Sequence, residues 1–235
     1  MAKKHTKEEI GKNFNEALGN PKDLYNHKCV NWKSHVEAVS ELLSKEIENF
    51  IKGIRTITRK RSYKCDHNSS NNKISNRSEE IFAKELCKKY EKEEFGDLGT
   101  ILDYQTPLKN VRSDKAGKVD LVSYNSRKNE IYFIELKWET AKDTLLRCIL
   151  EAYTYSKIVD KKKLIEDFNK DGKIKIDENA KIVPCVLIFN NTNASEMHQN
   201  EKKYPYLHEL INELKVKIKV IDKIETSIKK ISFVR

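Results

Sequence analysis

No stretch of this 235-residue chain is apolar for long enough to cross a bilayer. The longest apolar runs, IYFI at 131–134 and VPCVLIF at 183–189, have the length of strands. The opening residues, MAKKHTKEEIGKNFNEALG, are charged and lack an apolar centre, so no secretory signal is expected there. The cysteines, Cys29, Cys65, Cys87, Cys148 and Cys185, are odd in number and scattered, unlike a disulfide framework. These absences point to a protein of a reducing cytoplasm with no membrane partner. No internal repeat is visible.

What the chain has is charge. Charged residues make up 35% of it, and Lys+Arg 46 against Asp+Glu 36 leaves +10 with a pI of about 9.2. That balance favours a polyanionic partner, nucleic acid before an anionic membrane, although lysines also serve solubility. Hydrophobic residues at 38% suffice for the core of one large domain, or of a domain with an appendage.

An Asn/Ser-rich stretch, CDHNSSNNKISN at 65–76, divides the chain and is expected to be a flexible connection. Residues 1–70 are expected to form a helical N-terminal extension with this connection, and residues 71–235 the main domain. Val36, Val39, Leu42, Leu43, Ile47, Phe50, Ile51 and Ile54 follow a helical period within the extension. Beyond it, RSEEIFAKELCKKYEKEE reads as an amphipathic helix with Ser78 at its N-cap. Three strands follow, TILDYQTPL, KVDLVSY and EIYFIELKW, the last two joined by the polar loop NSRKN. One long helix is expected from TAKDTLLRCILEAYTYSKIVDKKKLIEDF, opened by Thr140 and Asp143 at capping-box spacing. A strand (KIVPCVLIF), a helix (YPYLHELINEL) and a strand (KVKIKVID) close the order α-β-β-β-α-β-α-β. A mixed β-sheet flanked by helices, an α/β fold, buries those faces economically.

Glu135 and Lys137 end an otherwise apolar strand. Residues two apart point the same way, so both share a face with Ile131 and Phe133. Asp120 lies mid-strand in GKVDLVSYN, on a face with Val122 and Tyr124, and a hairpin would bring it beside Glu135. Neighbouring carboxylates repel unless a cation sits between them, and Mg²⁺ takes one or two carboxylates plus water and phosphate. A lysine beside such an ion can orient or deprotonate water, or stabilise developing charge.

Asp120, a gap of 135 − 120 = 15 residues, then Glu135-Leu136-Lys137 resembles the PD-(D/E)xK nuclease superfamily, over residues 78–222. The resemblance implies a restriction-endonuclease-like core and a Mg²⁺-dependent DNA nuclease, with Mn²⁺ a plausible substitute and a homodimer a common arrangement. It implies that Asp120, Glu135 and the backbone carbonyl of Leu136 bind the ion while Lys137 assists the water. A further glutamate from the first core helix would be Glu79, with Glu80 the competitor. An accessory Gln-x-x-x-Tyr pair of some branches corresponds to Glu151 and Tyr155, with Arg147 one turn earlier; Glu replaces Gln here. Val119 stands where the motif's proline would be.

Plainer readings exist for the same residues. Asp120, Glu135 and Lys137 suit a metal-free ion-pair cluster, Glu79 a solvated helix end, and Arg147, Glu151 and Tyr155 a surface stripe. The alternative for the protein as a whole is a non-catalytic nucleic-acid-binding module that retains the nuclease fold. His27-x-Cys29 and Cys65-x-His67 together offer a four-ligand zinc set, at unusual spacing. The run TRKRSYK (58–64) suits phosphate contact or a solvated helix end. His198 and His208 have no partner in sequence.

Overall fold

The computed structural model describes residues 6–19, 24–67, 77–111, 114, 116–170, 174–224 and 231–234. Six strands form one open mixed sheet whose spatial order follows the chain: β1 (Thr100–Pro107), β2 (Lys118–Asn125), β3 (Glu130–Leu136), β4 (Lys181–Phe189), β5 (Lys217–Ile224) and β6 (Ile231–Phe233). The pairs β1–β2, β2–β3 and β5–β6 are antiparallel, whereas β3–β4 and β4–β5 are parallel. The helices are α1 (Lys7–Leu18), α2 (Val36–Lys45), α3 (Ile47–Gly53), α4 (Ser78–Tyr90), α5 (Leu145–Ile158), α6 (Lys161–Asn169), α7 (Asn193–Gln199) and α8 (Pro205–Leu214). The class is α/β. None of the described helices is long and apolar enough to cross a membrane.

Alternation along the strands sorts the core onto two faces. Val122, Tyr124, Ile131, Phe133, Val186 and Ile188 point to one face, where they join α5, α8 and the apolar residues of α1 and α2. Leu121, Tyr132, Ile134, Leu136, Cys185 and Leu187 point to the other, under Phe82, Ala83 and Leu86 of α4. Each fully buried side chain of this size contributes roughly 1.5–3 kcal/mol relative to exposure. Both central faces are covered, which is why β3 and β4 are continuous apolar runs rather than alternating ones. Pro184 is tolerated near the start of β4 because β5 pairs only from Cys185 onward.

Several local expectations change. Ser78 is the first helical residue of α4 rather than its cap, and Arg77 at the cap position makes no side-chain capping bond. Thr140 and Asp143 do not open a helix. Thr144 does, accepting from the Arg147 amide through its side chain. The expected long helix breaks at Val159, and Asp160 caps α6 by accepting from the Lys163 amide at 3.1 Å. Two elements were not expected, α7 and β6. In α7 Thr192 and Ser195 form a reciprocal capping box. Most of the Asn/Ser-rich connection, 68–76, lies outside the described residues.

The TRKRSYK run does not present its aromatic to solvent. Tyr63 is fully buried, donates to the Ile57 carbonyl at 2.8 Å and accepts from the Asp160 amide at 3.2 Å. Arg59 turns inward as well, donating to the carbonyls of Lys109 and Ser62, while Lys60 and Arg61 stay exposed. Half of the run is therefore a clasp between the N-terminal segment and α6.

Candidate active site

The hairpin of β2 and β3 pairs Leu121 with Ile134, so Asp120 and Glu135 occupy the next facing positions. Both project to the face that α5 covers, as alternation requires. Asp120 Oδ2 accepts from the Leu136 amide at 2.9 Å, which makes the amide, not the carbonyl, that residue's contact with the acid. Lys137 donates to Glu135 and lies 3.7 Å from Glu151 Oε2. Glu151 and Tyr155, four residues apart on α5, are joined by a 2.9 Å bond from the tyrosine hydroxyl. Gly117 leaves room for that hydroxyl: a Cβ there would lie 2.1 Å from it.

From the opposite side, α4 delivers Glu79, whose Oε1 accepts from the Trp138 amide at 3.2 Å. Glu80 turns instead to Arg77 at 3.4 Å. All of these line one pocket of about 360 Å³: Glu79, Glu80, Asp120, Glu135 and Glu151 on the acid side, with Arg77, Lys118, Lys137, Gln105 and Tyr155. Arg147 is not among the lining residues. Its guanidinium bonds Asp143 one turn back, so the expected stripe of Arg147, Glu151 and Tyr155 splits.

Gln105 is the residue that sequence reasoning missed. It stands opposite Asp120 on β1 and donates to Asp120 Oδ1 at 2.8 Å. Its φ is 52°, in the left-handed region that a non-glycine residue rarely adopts inside a strand. Such a conformation costs of order 1–3 kcal/mol and persists where its surroundings impose it. No local pattern in DYQTP announces it.

The electrostatics follow from five carboxylates against three cations in one pocket. Burial pushes the Asp120 carboxyl up to about 7, with Glu151 and Glu79 adding to the rise and Lys137 opposing it. Burial, then Asp120 and Glu151, hold Glu135 well above the usual carboxylate range. Burial alone would lower the Lys137 ammonium, but Glu135 and Glu151 outweigh it and keep it firmly protonated. Glu151 Oε2 is buried and accepts no hydrogen bond. A carboxylate surplus with an orphaned oxygen suits a hard divalent cation with oxygen ligands.

The zinc set anticipated from His27, Cys29, Cys65 and His67 does not assemble. His27 Nδ1 lies 3.1 Å from Cys29 Sγ, whereas Cys65 and His67 gather with Asp103, and neither His27 nor Cys29 joins that group. His198 and His208 stack face to face, centroids 5.8 Å apart. No family model, curated protein or solved structure matches this chain.

Proposed function

We propose that the protein is a Mg²⁺-dependent nuclease of restriction-endonuclease-like fold that hydrolyses phosphodiester bonds of DNA. The observation that carries the reading is the convergence of Asp120, Glu135, Lys137 and Glu79, from two strands and a distant helix, on one acid-rich pocket. Asp120 and Glu135 would hold the ion, with the Leu136 carbonyl and Glu79 completing its protein ligands. The bound ion would supply Lewis-acid stabilisation and a more acidic water. Gln105 fixes the rotamer of Asp120 by bonding its Oδ1, and Tyr155 does the same for Glu151. Lys137, bonded to Glu135 and 3.7 Å from Glu151, would orient or deprotonate the attacking water, or stabilise developing charge. The +10 charge favours holding a polyanion, a contact that weakens steeply with salt.

The test is cleavage of plasmid and branched DNA with Mg²⁺ or Mn²⁺ against EDTA, in the native chain and in Lys137→Ala. Cleavage that needs the metal and the lysine is expected. Salt-sensitive DNA binding without cleavage in either metal would replace this reading by a non-catalytic nucleic-acid-binding module. The direct Lys137–Glu135 bond, which occupies one carboxylate with an internal cation, is the feature favouring that alternative.

A further inference from the structure

A second group of metal-capable side chains lies apart from the acid-rich pocket. Cys65 Sγ, a ring nitrogen of His67 and a carboxylate oxygen of Asp103 all lie within 4.8 Å of one another. They line a cleft of about 1310 Å³ that also presents Lys84, Lys88 and Lys92. We propose that Cys65, His67 and Asp103 hold a zinc-class transition-metal ion with one coordination position open to this cleft.

The donor set argues for that class of ion. Thiolate, imidazole and carboxylate together suit a borderline-soft cation and not Mg²⁺, which takes oxygen ligands. Around a tetrahedral zinc such donor atoms stand roughly 3.3–3.6 Å apart, so His67 Nε2 and Asp103 Oδ1, now hydrogen-bonded at 2.5 Å, would part to admit the ion while the Cys65 thiol stays within reach. Three protein ligands and one exchangeable position is the arrangement of reactive zinc sites, whereas structural sites are closed by four. Water or another oxygen donor from the cleft would take the fourth position.

The surroundings already orient each donor. Asp103 is 2% exposed, and its Oδ2 accepts from the Thr106 hydroxyl at 3.0 Å and the Cys65 amide at 3.2 Å. A register irregularity between Ile101 and Asp103 marks a bulge in β1, a device that re-aims a side chain. His67 stacks on Tyr104 with centroids 3.8 Å apart and planes 15° apart, which fixes its ring. Outer partners of this kind are what metal ligands require.

Two simpler accounts leave residues over. A His67–Asp103 ion pair explains those two but gives the thiol beside them no part. A Cys–His–Asp nucleophile needs its thiol hydrogen-bonded to the imidazole, and among the described residues no such bond joins Cys65 Sγ to His67, whose Nε2 bonds Asp103.

The test uses the full chain, stripped of metal with a chelator and titrated with Co²⁺ as a spectroscopic stand-in. One equivalent should produce a thiolate-to-cobalt charge-transfer band that Zn²⁺ abolishes and excess Mg²⁺ does not. Cys65→Ser should lose the band, and His67→Ala should weaken Co²⁺ binding at least about tenfold. Cys87→Ser, altering another cysteine that lines the cleft, should retain it. No band in the native chain, or a band that survives Cys65→Ser or vanishes with Cys87→Ser, overturns the assignment. Circular dichroism establishes that each variant is folded, and His67, 27% exposed, gives a reading even if Cys65→Ser is not. The spectrum is independent of DNA cleavage, so this proposal and the nuclease reading fail separately.

Discussion

Asp167 on α6 and Asp120 on β2 are both acids set beside lysine, and their environments are opposites. Asp167 is 2% exposed and over-supplied with donors: Lys163 at 2.9 Å, Lys170 at 2.7 Å and the Tyr63 amide at 3.0 Å. Burial would raise its carboxyl, but these partners outweigh burial and hold it below the usual range. Asp120 has only neutral donors within hydrogen-bond distance among the described residues, the Gln105 amide and the Leu136 amide, and acids crowd it. The first acid fastens the N-terminal segment to the sheet domain. The second is held in a state that more positive charge would relieve. Balanced charge suits a structural clasp at Asp167, and unbalanced charge is what makes the Asp120 pocket the candidate functional site.

The largest expected break in this comparison is functional. Lys137→Ala should lower DNA cleavage by about 10²–10⁴-fold, as removal of a charge-stabilising group commonly does, with folding read by circular dichroism intact. The corresponding change at the other cluster, Asp167→Asn, should leave cleavage unaltered but remove about 1–3 kcal/mol of stability. By thermal melting that is a few degrees, at about 2–4 °C per kcal/mol for a chain of this size.

Acidity separates the two clusters further. Because the folded Asp120 carboxyl is raised from 3.8 to about 7, its contribution to stability is full below pH 3.8 and is lost as pH rises through 7. Asp167 runs the other way: its contribution is full above 3.8 and is lost as pH falls through its depressed range. Melting curves of the metal-free protein should therefore decline from pH 5 to 8 in the native chain and decline less in Asp120→Asn. Saturating Mg²⁺ should flatten the native curve; an unchanged slope with Mg²⁺ would separate the pocket from divalent-ion binding. The smallest effect is expected at Glu80, whose exposed 3.4 Å pair with Arg77 should contribute under about 0.5 kcal/mol, so Glu80→Gln should melt like the native chain.

How much of this was legible depended on the range over which each signal acts. The period-2 pattern and the short NSRKN loop are local signals, and they suffice to set Asp120 beside Glu135, where the hairpin register puts it. The helical spacing of Phe82, Ala83 and Leu86 favoured Glu79 over its competitor Glu80 for the buried face of α4, and it is Glu79 that accepts from the Trp138 amide. Gln105 and Asp103 escaped because a left-handed residue and a bulge in β1 are imposed by β2 and by the cleft, not by their own sequence neighbours. The lysine run at 161–163 continued a helical pattern and hid the break that Asp160 caps. Thr140 was the expected cap, and tertiary contacts give the role to Thr144, which also bonds the Val30 carbonyl and Asn31. Tyr63 looked like surface because burial against α6, about a hundred residues away, leaves no trace in TRKRSYK, and neither does the distant Lys109 carbonyl that draws Arg59 inward.

The sheet whose neighbours in space are also neighbours along the chain has a kinetic corollary. β1, β2 and β3 meet through short loop closures, whereas β3 waits for a partner across the whole α5–α6 excursion. The hairpin bearing Asp120 and Glu135 is thus poised to form early, and Glu79 and Glu151 to arrive with later docking of their helices. During synthesis or refolding the two innermost acids would meet before their flanking carboxylates do, when solvent still shields their repulsion.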